Sequence, residues 1–265
     1  MMDRKRLPDL GLTQLSPFGV ILNAPEPARD LPTLDIDLLT GLVDEHRVVI
    51  LRGFDALPGD QFPDFCRRFG ELQEWDFGVV NELRVNPQAE NYLYTNHAVP
   101  FHWDGAFAGR VPRYIIFDCD AASAGGGGET LFCDTLRLLA AAPPGFLKKW
   151  REIGITYTTD KVVHYGGTFT SPLITRHPAN DSEILRFAEP VTDLNPVQLE
   201  IDGLFDVSQA DFLADMHQRL HDDAFCYRHT WRTGDVMIAD NYVLLHGRRE
   251  FDPGVERRIR RVNVF

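Results

Sequence analysis

The order of hydrophobic and polar residues predicts many short strands and a few helices. Residues 35–47 carry apolar side chains at Ile36, Leu39 and Val43, which is helical spacing, and 48–54 is a β-branched run typical of a buried strand. Further strands are predicted at 114–120, 130–135, 154–160, 234–241 and 259–265, and further helices at 60–69, 135–141, 145–151 and 209–221. Because helices do not alternate with the strands, the pattern favours a mostly β fold with flanking helices and a double-stranded β-helix (jelly-roll) core.

Polar residues and glycines mark the ends of several elements. Asp60 is placed to cap the helix that follows it, and Ser208 with Asp211 has capping spacing at the start of the last helix. Between two predicted strands, Gly125–Gly128 predict a flexible turn, because glycine restricts the backbone least.

The composition narrows the class of protein. The chain has 265 residues, enough for one large domain over 1–265, with 44% hydrophobic residues and a net charge of −12. Proteins that bind nucleic acid or anionic membranes usually carry a basic excess, so the charge argues against both partners. We therefore expect a small-molecule substrate, and the sequence leaves a homo-oligomer open.

Targeting signals and cysteine spacing suggest a location. The longest apolar runs, such as 48–51, are too short to cross a bilayer, and no apolar segment follows the basic residues 4–6. The four cysteines form no C-x-x-C pair, so we expect free, buried thiols rather than a zinc knuckle. The expectation is a cytoplasmic protein.

A candidate metal site lies in the segment FHWDGAF at 101–107. His102 and Asp104 are two residues apart, so on a strand both point to one face while Trp103 points to the other. A third ligand can come from His246, which follows a predicted strand. Two imidazoles and one carboxylate leave three positions of an octahedral ion open, which suits Fe(II). An H-x-D pair alone is a weak signal, since two hydrogen-bonding residues on a solvated strand give the same pattern.

A basic C-terminal segment strengthens the metal interpretation. Six arginines follow His246: Arg248, Arg249, Arg257, Arg258, Arg260 and Arg261. On a strand, Arg257 and Arg261 share one face, and Arg258 and Arg260 share the other. An inward guanidinium offers a planar fork for the distal carboxylate of a dicarboxylate such as 2-oxoglutarate. A solvated strand edge is the alternative, and it suits Arg258 and Arg260.

The other histidines offer one further ligand spacing. His217 and His221 lie four residues apart on the predicted helix at 209–221, a spacing that can bind zinc. The general-base glutamate of H-E-x-x-H is absent, with Gln218 in its place, so we expect a solvated helix face. Structural or hydrogen-bonding roles are expected for the remaining candidates, His97, His164, His177 and His229.

These elements together resemble the TauD/TfdA family of 2-oxoglutarate-dependent dioxygenases over nearly the whole chain. They are H-x-D at 102–104, GGGGET ending at Thr130, His246, and arginines eleven and fifteen residues after it. The chain is more similar to the PvcB-like branch, which works beside isonitrile synthases. The segments that carry this similarity are VPFHWDGAF (99–107), HYGGTFTSPLITRHP (164–178), ILRFAEP (184–190) and HTWRTGDVMIADNYVLLHGRREF (229–251).

The resemblance implies Fe(II) as cofactor, with 2-oxoglutarate and O2 as cosubstrates. It implies that Thr130 and Arg257 hold 2-oxoglutarate, and that Arg261 meets either the substrate or the same carboxylate. Halogenating relatives replace the aspartate ligand by a small residue, whereas this chain keeps Asp104. Near the ligand strand, three side chains are candidates for the substrate pocket, with core or rim packing as the alternative: Tyr94, Asn96 and Trp103.

Members of the PvcB-like branch act on an isonitrile derived from an amino acid. The implied substrate is tyrosine isonitrile, desaturated with loss of the carboxylate to a vinyl isonitrile. Hydroxylation of another small carboxylate or sulfonate is the nearest alternative. A metal-dependent hydrolase and an inactive binding module on the same fold are alternatives of a different class.

Overall fold

The computed structural model describes residues 11–25, 30–123, 125–162 and 165–265. The helices are α1 (Ile36–His46), α2 (Gln61–Arg67), α3 (Thr135–Ala141), α4 (Pro144–Trp150) and α5 (Gln209–Leu220). The strands are β1 (Gly11–Gln14), β2 (Val20–Asn23), β3 (Val48–Arg52), β4 (Asn81–Leu83), β5 (Val99–His102), β6 (Tyr114–Ala122), β7 (Thr130–Asp134), β8 (Gly154–Val162), β9 (Tyr165–Pro172), β10 (Ile174–Arg176), β11 (Glu183–Leu185), β12 (Gln198–Asp202), β13 (Cys226–His229), β14 (Val236–Asp240), β15 (Leu244–Arg248) and β16 (Arg257–Val264).

Two sheets form the jelly-roll core. The larger has seven strands in the order β1-β2-β3-β14-β6-β16-β4, and the smaller has four in the order β13-β7-β15-β5. Neighbouring strands are antiparallel, apart from the parallel pair β2 and β3. This agrees with the mostly β, jelly-roll architecture that the sequence predicts.

Strand alternation divides the buried side chains into layers. Phe117 of β6 and Met237 of β14 point from the large sheet toward Phe132 and Leu244 of the small sheet, forming one core between the sheets. Helices α1 and α2 cover the other face of the large sheet. Helices α3–α5 and the three-stranded sheet β12-β8-β9 cover the other face of the small sheet. Polar side chains that share the inner faces therefore meet between the two sheets.

Most predicted elements are confirmed within one to three residues at each end, but the structure corrects three details. Asp60 makes no side-chain capping bond to α2, whereas Ser208 accepts one from the Asp211 N–H at 3.1 Å. His246 does not merely follow a strand, since it lies within β15. Strand β15 was missed because its sequence, LLHGR, has only two apolar residues before His, Gly and Arg and so shows neither alternation nor a continuous apolar run.

Candidate metal centre

Sheet pairing brings His102 and His246 together. They lie directly opposite each other on the antiparallel neighbours β5 and β15, and their ring centroids are 4.2 Å apart. His246 shares the face of Leu244, so it points between the two sheets. The strand register therefore places two imidazoles from distant parts of the chain at one point.

Asp104 joins them from a turn rather than from the strand. Strand β5 ends at His102, so the prediction that both residues alternate along one strand is wrong in its geometry. Asn241 holds the turn, because its side chain accepts the Asp104 N–H at 3.0 Å and donates to the Asp104 carbonyl at 3.1 Å. Gly105 follows with φ of 101°, and a Cβ there would lie 2.6 Å from the Arg110 carbonyl oxygen. The Asp104 Oδ1 atom lies 3.7 Å from Nε2 of each histidine.

Burial and charge set the protonation of the three side chains. Burial lowers the pKa of His102. Burial, and the positive charge that His102 carries when it is protonated, lower the pKa of His246 far more. Burial alone would raise the pKa of Asp104, but Arg261 and the two histidines outweigh it and lower that pKa well below its usual range. The site thus holds two neutral imidazoles and one carboxylate, which is the state that binds a metal.

The remaining hydrogen bonds fit a metal at this point. The Nδ1 atom of His102 lies 2.9 Å from the Pro100 carbonyl, which orients the ring and leaves Nε2 free for a ligand role. The Nε2 atom of His246 is buried without a hydrogen-bond partner among the described residues. A buried nitrogen without a partner is costly, so a metal ion at the triad satisfies it. Two histidines and one carboxylate match the facial triad of non-haem Fe(II) oxygenases.

A small cavity next to the triad contains the predicted cosubstrate residues. Arg257 is buried, with Nε donating to the Gly128 carbonyl at 3.2 Å and Nη2 donating to Thr130 Oγ1 at 3.3 Å. Thr130 and Arg257 line this cavity together with His246 and Arg261. Burial lowers the pKa of Arg257 to about 10, so the guanidinium stays charged at neutral pH. The cavity thus presents fixed cationic donors beside the metal ligands, as a dicarboxylate requires.

Arg248 is a functional candidate to which the sequence reasoning gave no role. It lines the same cavity, and burial lowers its pKa to about 9. Its guanidinium donates to the carbonyls of Leu93, Thr95 and His97, but Nε is buried without a partner in the described part of the chain. The available signal was its position, because Arg248 lies two residues after His246 and therefore on the same strand face.

A second, larger cavity opens on the other side of the triad. His102, Asp104 and Arg261 are among the residues that line it. Six aromatic side chains line its walls: Trp75, Tyr92, Trp103, Phe107, Tyr157 and Tyr165. Such a cavity can enclose a flat apolar group and place it against a metal at the triad.

The three predicted pocket residues divide between two environments. Trp103 lines the aromatic cavity, and its ring meets Tyr157 edge-on at 5.7 Å. Tyr94 and Asn96 lie outside the lining of this cavity. Tyr94 donates to Asn81 Oδ1 at 3.2 Å, and Asn96 donates to the Phe251 carbonyl at 2.9 Å.

Arg261 lies at the boundary of the two cavities. It is 5% exposed, it lines both cavities, and its Nη1 atom is 3.2 Å from Asp104 Oδ2. Its neighbour on the same strand face, Arg257, lines the smaller cavity and not the larger one. The predicted strand phase is confirmed, since Arg257 and Arg261 are buried while Arg258 is exposed.

The comparison with known families agrees with this geometry. The model of the family "Taurine catabolism dioxygenase TauD, TfdA family" matches residues 11–263. The chain belongs to the TauD/TfdA family. It is an enzyme, an Fe(II)- and 2-oxoglutarate-dependent dioxygenase that also uses O2.

Individual relatives of this TauD/TfdA enzyme are named for isonitrile compounds. It is 44% identical over 256 residues to 3-((Z)-2-isocyanoethenyl)-1H-indole synthase of Fischerella ambigua, a match that covers 95% of this chain and 94% of the relative. It is 35% identical to tyrosine isonitrile desaturase of Pseudomonas aeruginosa, covering 93% and 87% of the two chains. The crystal structure of PvcB from the same organism superposes with a TM-score of 0.83 at 31% identity, covering 100% and 93%. PvcB is described as an Fe, α-ketoglutarate-dependent oxygenase from an isonitrile synthetic pathway.

In this TauD/TfdA enzyme the second half of the glycine-rich segment packs against the chain near Phe251. Gly127 pairs with Phe251 in a β-bridge, and the Gly128 N–H donates to the Glu250 carbonyl at 3.1 Å. A Cβ at Gly127 would overlap the Glu250 carbonyl, and one at Gly128 would lie 3.2 Å from the Arg257 side chain. The glycines at 127 and 128 thus let the backbone pass beside Arg257.

The other histidines fall into three groups. His164 lies outside the described residues. His177 accepts the Ala179 N–H, and buried His229 lies 3.0 Å from the Tyr227 hydroxyl, so both have the expected structural contacts. His217 and His221 do not form a simple solvated face, because both rings contact the buried Glu189 carboxylate.

Two further expectations concern the chain as a whole. The four cysteines are free and buried, as expected. Within the described residues, no helix is long and apolar enough to cross a membrane.

Proposed function

We propose that this enzyme oxidises an isonitrile derived from an aromatic amino acid and releases a vinyl isonitrile. The observation that carries the proposal is the cavity beside the triad, whose walls include six aromatic side chains among the described residues. Aromatic walls favour a planar ring over a short polar chain such as taurine, because ring faces and edges meet with little water between them. The two isonitrile-pathway relatives support the same substrate class.

The ring of the substrate is either a phenol or an indole. The sequence resemblance favoured tyrosine isonitrile. The relative at 44% identity is named for an indole product, whereas the relative named for tyrosine isonitrile is 35% identical. We therefore propose the tryptophan-derived isonitrile as the preferred substrate, and tyrosine isonitrile as a second one.

The proposed reaction removes one hydrogen from Cβ of the substrate and the carboxylate from Cα. A carbon–carbon double bond forms, and the carboxylate leaves as CO2. In the same turnover 2-oxoglutarate is oxidised to succinate and CO2, while O2 is reduced and one of its oxygen atoms leaves as water. Bound Fe(II), together with O2 and 2-oxoglutarate, supplies the oxidant that removes the hydrogen.

The side chains of the site position the reactants. Neutral His102 and His246 and ionised Asp104 would hold the metal, and Thr130 with Arg257 would hold 2-oxoglutarate in the smaller cavity. Since Arg261 borders both cavities, we propose that it binds the substrate carboxylate at the entrance to the metal site. The aromatic walls exclude water and fix the ring, so that Cβ faces the metal.

Trp103 is the one of the three pocket candidates that we retain as a substrate contact. Tyr94 and Asn96 would act indirectly, since Tyr94 bonds to Asn81 and Asn96 fixes the Phe251 carbonyl. Arg248 is added to the proposed cosubstrate site, because it supplies a second buried cation beside Arg257.

The alternatives are disfavoured by specific features. A hydrolase needs a general base beside a metal-bound water, and the lining of the aromatic cavity offers Glu189 as the carboxylate besides Asp104. Both Glu189 oxygens already accept hydrogen bonds, from the Phe101 N–H and from His217. An inactive binding module does not require a complete triad together with the buried Arg257.

The remaining parts of the proposal concern the cell and the assembly. Four free, buried thiols support work in a reducing compartment such as the cytoplasm. The net charge of −12 supports a function without nucleic acid. The length of 265 residues supports one domain over 1–265. Size-exclusion chromatography would determine whether the enzyme forms a homo-oligomer.

The test supplies candidate substrates to the iron-loaded enzyme under O2. We compare five compounds: the tryptophan-derived isonitrile acid, tyrosine isonitrile, the methyl ester of each, and taurine. Succinate and organic product are measured for each compound. We expect one vinyl isonitrile per succinate from the free acids, with the indole faster. Coupled turnover of taurine, or equal turnover of acid and ester, contradicts the proposal.

A further inference from the structure

A second cluster of metal-ligating side chains lies apart from the iron triad. It consists of Glu189, which follows β11, of His217 on α5, and of His221, the C-cap residue of α5. Both imidazoles point at one oxygen, with His217 Nδ1 2.6 Å and His221 Nε2 3.3 Å from Glu189 Oε1. The three ligand atoms lie within 4.8 Å of one another.

The carboxylate of this cluster is fixed before any ligand arrives. Glu189 is 8% exposed, and its Oε2 atom accepts the Phe101 N–H at 2.8 Å while its own N–H donates to the Phe101 carbonyl at 2.8 Å. The oxygen that faces the histidines therefore belongs to a carboxylate that the β5 backbone already holds in place.

The two histidines have a spacing that suits a zinc ion, and one of their rings has room to rotate toward it. They are four residues apart on one helix face, and their ring centroids are 4.2 Å apart. Bonds of about 2.0–2.2 Å to a tetrahedral ion place neighbouring ligand atoms about 3.3–3.5 Å apart. The His221–Glu189 distance already has this value. The His217–Glu189 distance must widen by less than about 1 Å, which a ring rotation of this 66% exposed side chain provides.

The cations near the cluster are engaged elsewhere. Arg228, Arg248 and Arg249 line the groove that contains the cluster. Arg228 is paired with Asp223, and Arg249 lies 4.0 Å from Glu129. Arg248 donates to three backbone carbonyls. The carboxylate and the imidazoles are thus left to face the groove, and water can reach the fourth ligand position through the exposed side of His217.

We propose that Glu189, His217 and His221 form a Zn²⁺ site that is separate from the iron centre. The ion joins helix α5 to the carboxylate that is hydrogen-bonded to β5, the strand that ends at the iron ligand His102. The site shares no ligand with the iron triad, and its fourth ligand is water.

The experiment counts bound Zn²⁺ in tag-free, metal-free protein by competition with a chromophoric chelator. Because the iron triad also accepts Zn²⁺, the assay includes Asp104→Ala, which disables that triad. We expect about two ions per wild-type chain and about one in Asp104→Ala. His217→Gln keeps a hydrogen-bond donor toward Glu189 but removes the imidazole, so the double variant Asp104→Ala/His217→Gln should bind none.

A matched variant and a spectrum separate a zinc ligand from a structural residue. His97→Gln removes another exposed histidine, and in the Asp104→Ala background it should leave the single ion bound. Co²⁺ in Asp104→Ala should give the intense visible bands of a tetrahedral ion, and His217→Gln should abolish them. Circular dichroism of each metal-free variant checks the fold.

Three results overturn the proposal. One is a single Zn²⁺ ion in the wild-type chain that disappears in Asp104→Ala. The second is equal Zn²⁺ binding by Asp104→Ala and by its His217→Gln double variant. The third is a Co²⁺ spectrum in Asp104→Ala with only the weak bands of an octahedral ion. Each would mean that the cluster is a hydrogen-bonded connection between α5 and Glu189.

Discussion

Two adjacent arginines in β16 show how a single residue's environment determines its role. Arg257 is buried beside Thr130 in the smaller cavity, whereas the Arg258 side chain is 53% exposed and lies near Asp120 and Glu256. The two residues have the same charge and almost the same position in the chain. Only Arg257 can contact a ligand inside the core.

This difference predicts unequal effects on the cosubstrate. Arg257→Leu should raise the KM for 2-oxoglutarate by about 10-fold or more, because a charge-assisted bidentate contact contributes roughly 1.5–3 kcal/mol. The matched variant Arg258→Leu should leave that KM within about 2-fold of wild type, as expected of an exposed ion pair. The measurement is succinate formation against 2-oxoglutarate concentration. Equal effects of the two substitutions would show that Arg257 does not hold the cosubstrate.

At the scale of elements, helix starts that look alike in sequence differ in the structure. Ser208 precedes α5 and accepts the Asp211 N–H, while Asp60 precedes α2 in a helical backbone conformation and makes no capping bond. A capping residue needs extended backbone angles for its side chain to reach back to the first free N–H groups. The polar residue alone therefore does not determine a cap.

Alanine substitution at the two positions tests this distinction. Ser208→Ala should lower the free energy of unfolding by about 1 kcal/mol, because it removes one N–H partner at the helix start. Asp60→Ala should change it by less than about 0.5 kcal/mol, as for a surface position without a special role. Urea unfolding followed by circular dichroism measures both. A larger loss for Asp60→Ala than for Ser208→Ala would contradict the assigned caps.

At the scale of the whole molecule, one buried carboxylate links stability to pH. Asp240 ends β14 and is 3% exposed. Burial raises its pKa from 3.8 to about 6, and the Tyr242 N–H bond and Arg47 offset only part of this effect. The folded chain thus holds a proton that the unfolded chain loses between about pH 4 and pH 6. Ionisation of Asp240 opposes folding, so its penalty grows as the pH rises through that window.

The neutral variant Asp240→Asn should remove this penalty. Relative to metal-free wild type, its free energy of unfolding should rise by about 2 kcal/mol between about pH 4.5 and about pH 8, since each pKa unit corresponds to about 1.4 kcal/mol. The exposed control Asp206→Asn should change the free energy of unfolding by less than about 0.5 kcal/mol, as for a surface position without a special role. Urea unfolding of the three proteins at both pH values provides the comparison. A difference that stays constant or falls with pH would rule out a raised pKa for Asp240.

Local sequence determined the parts of the protein that depend on neighbours in the chain. Helical spacing of apolar residues predicted α1, and the capping spacing of Ser208 and Asp211 predicted α5. Strand alternation predicted that Arg257 faces inward and Arg258 outward. The H-x-D pair indicated two members of the clustered triad, and the position of His246 after a predicted strand indicated the third. These inferences succeeded because a side chain's face depends on the local repeat of helix or strand.

Only the tertiary structure decided which segments meet. The packing of two sheets around one core determines three features of the site. These are the register that sets His246 opposite His102, the turn that carries Asp104, and the burial of Arg248. The aromatic cavity and the Glu189 cluster likewise combine residues from separate elements. A one-dimensional pattern records the direction of a side chain but not its distant neighbour, because sheet register follows from packing the whole hydrophobic interior.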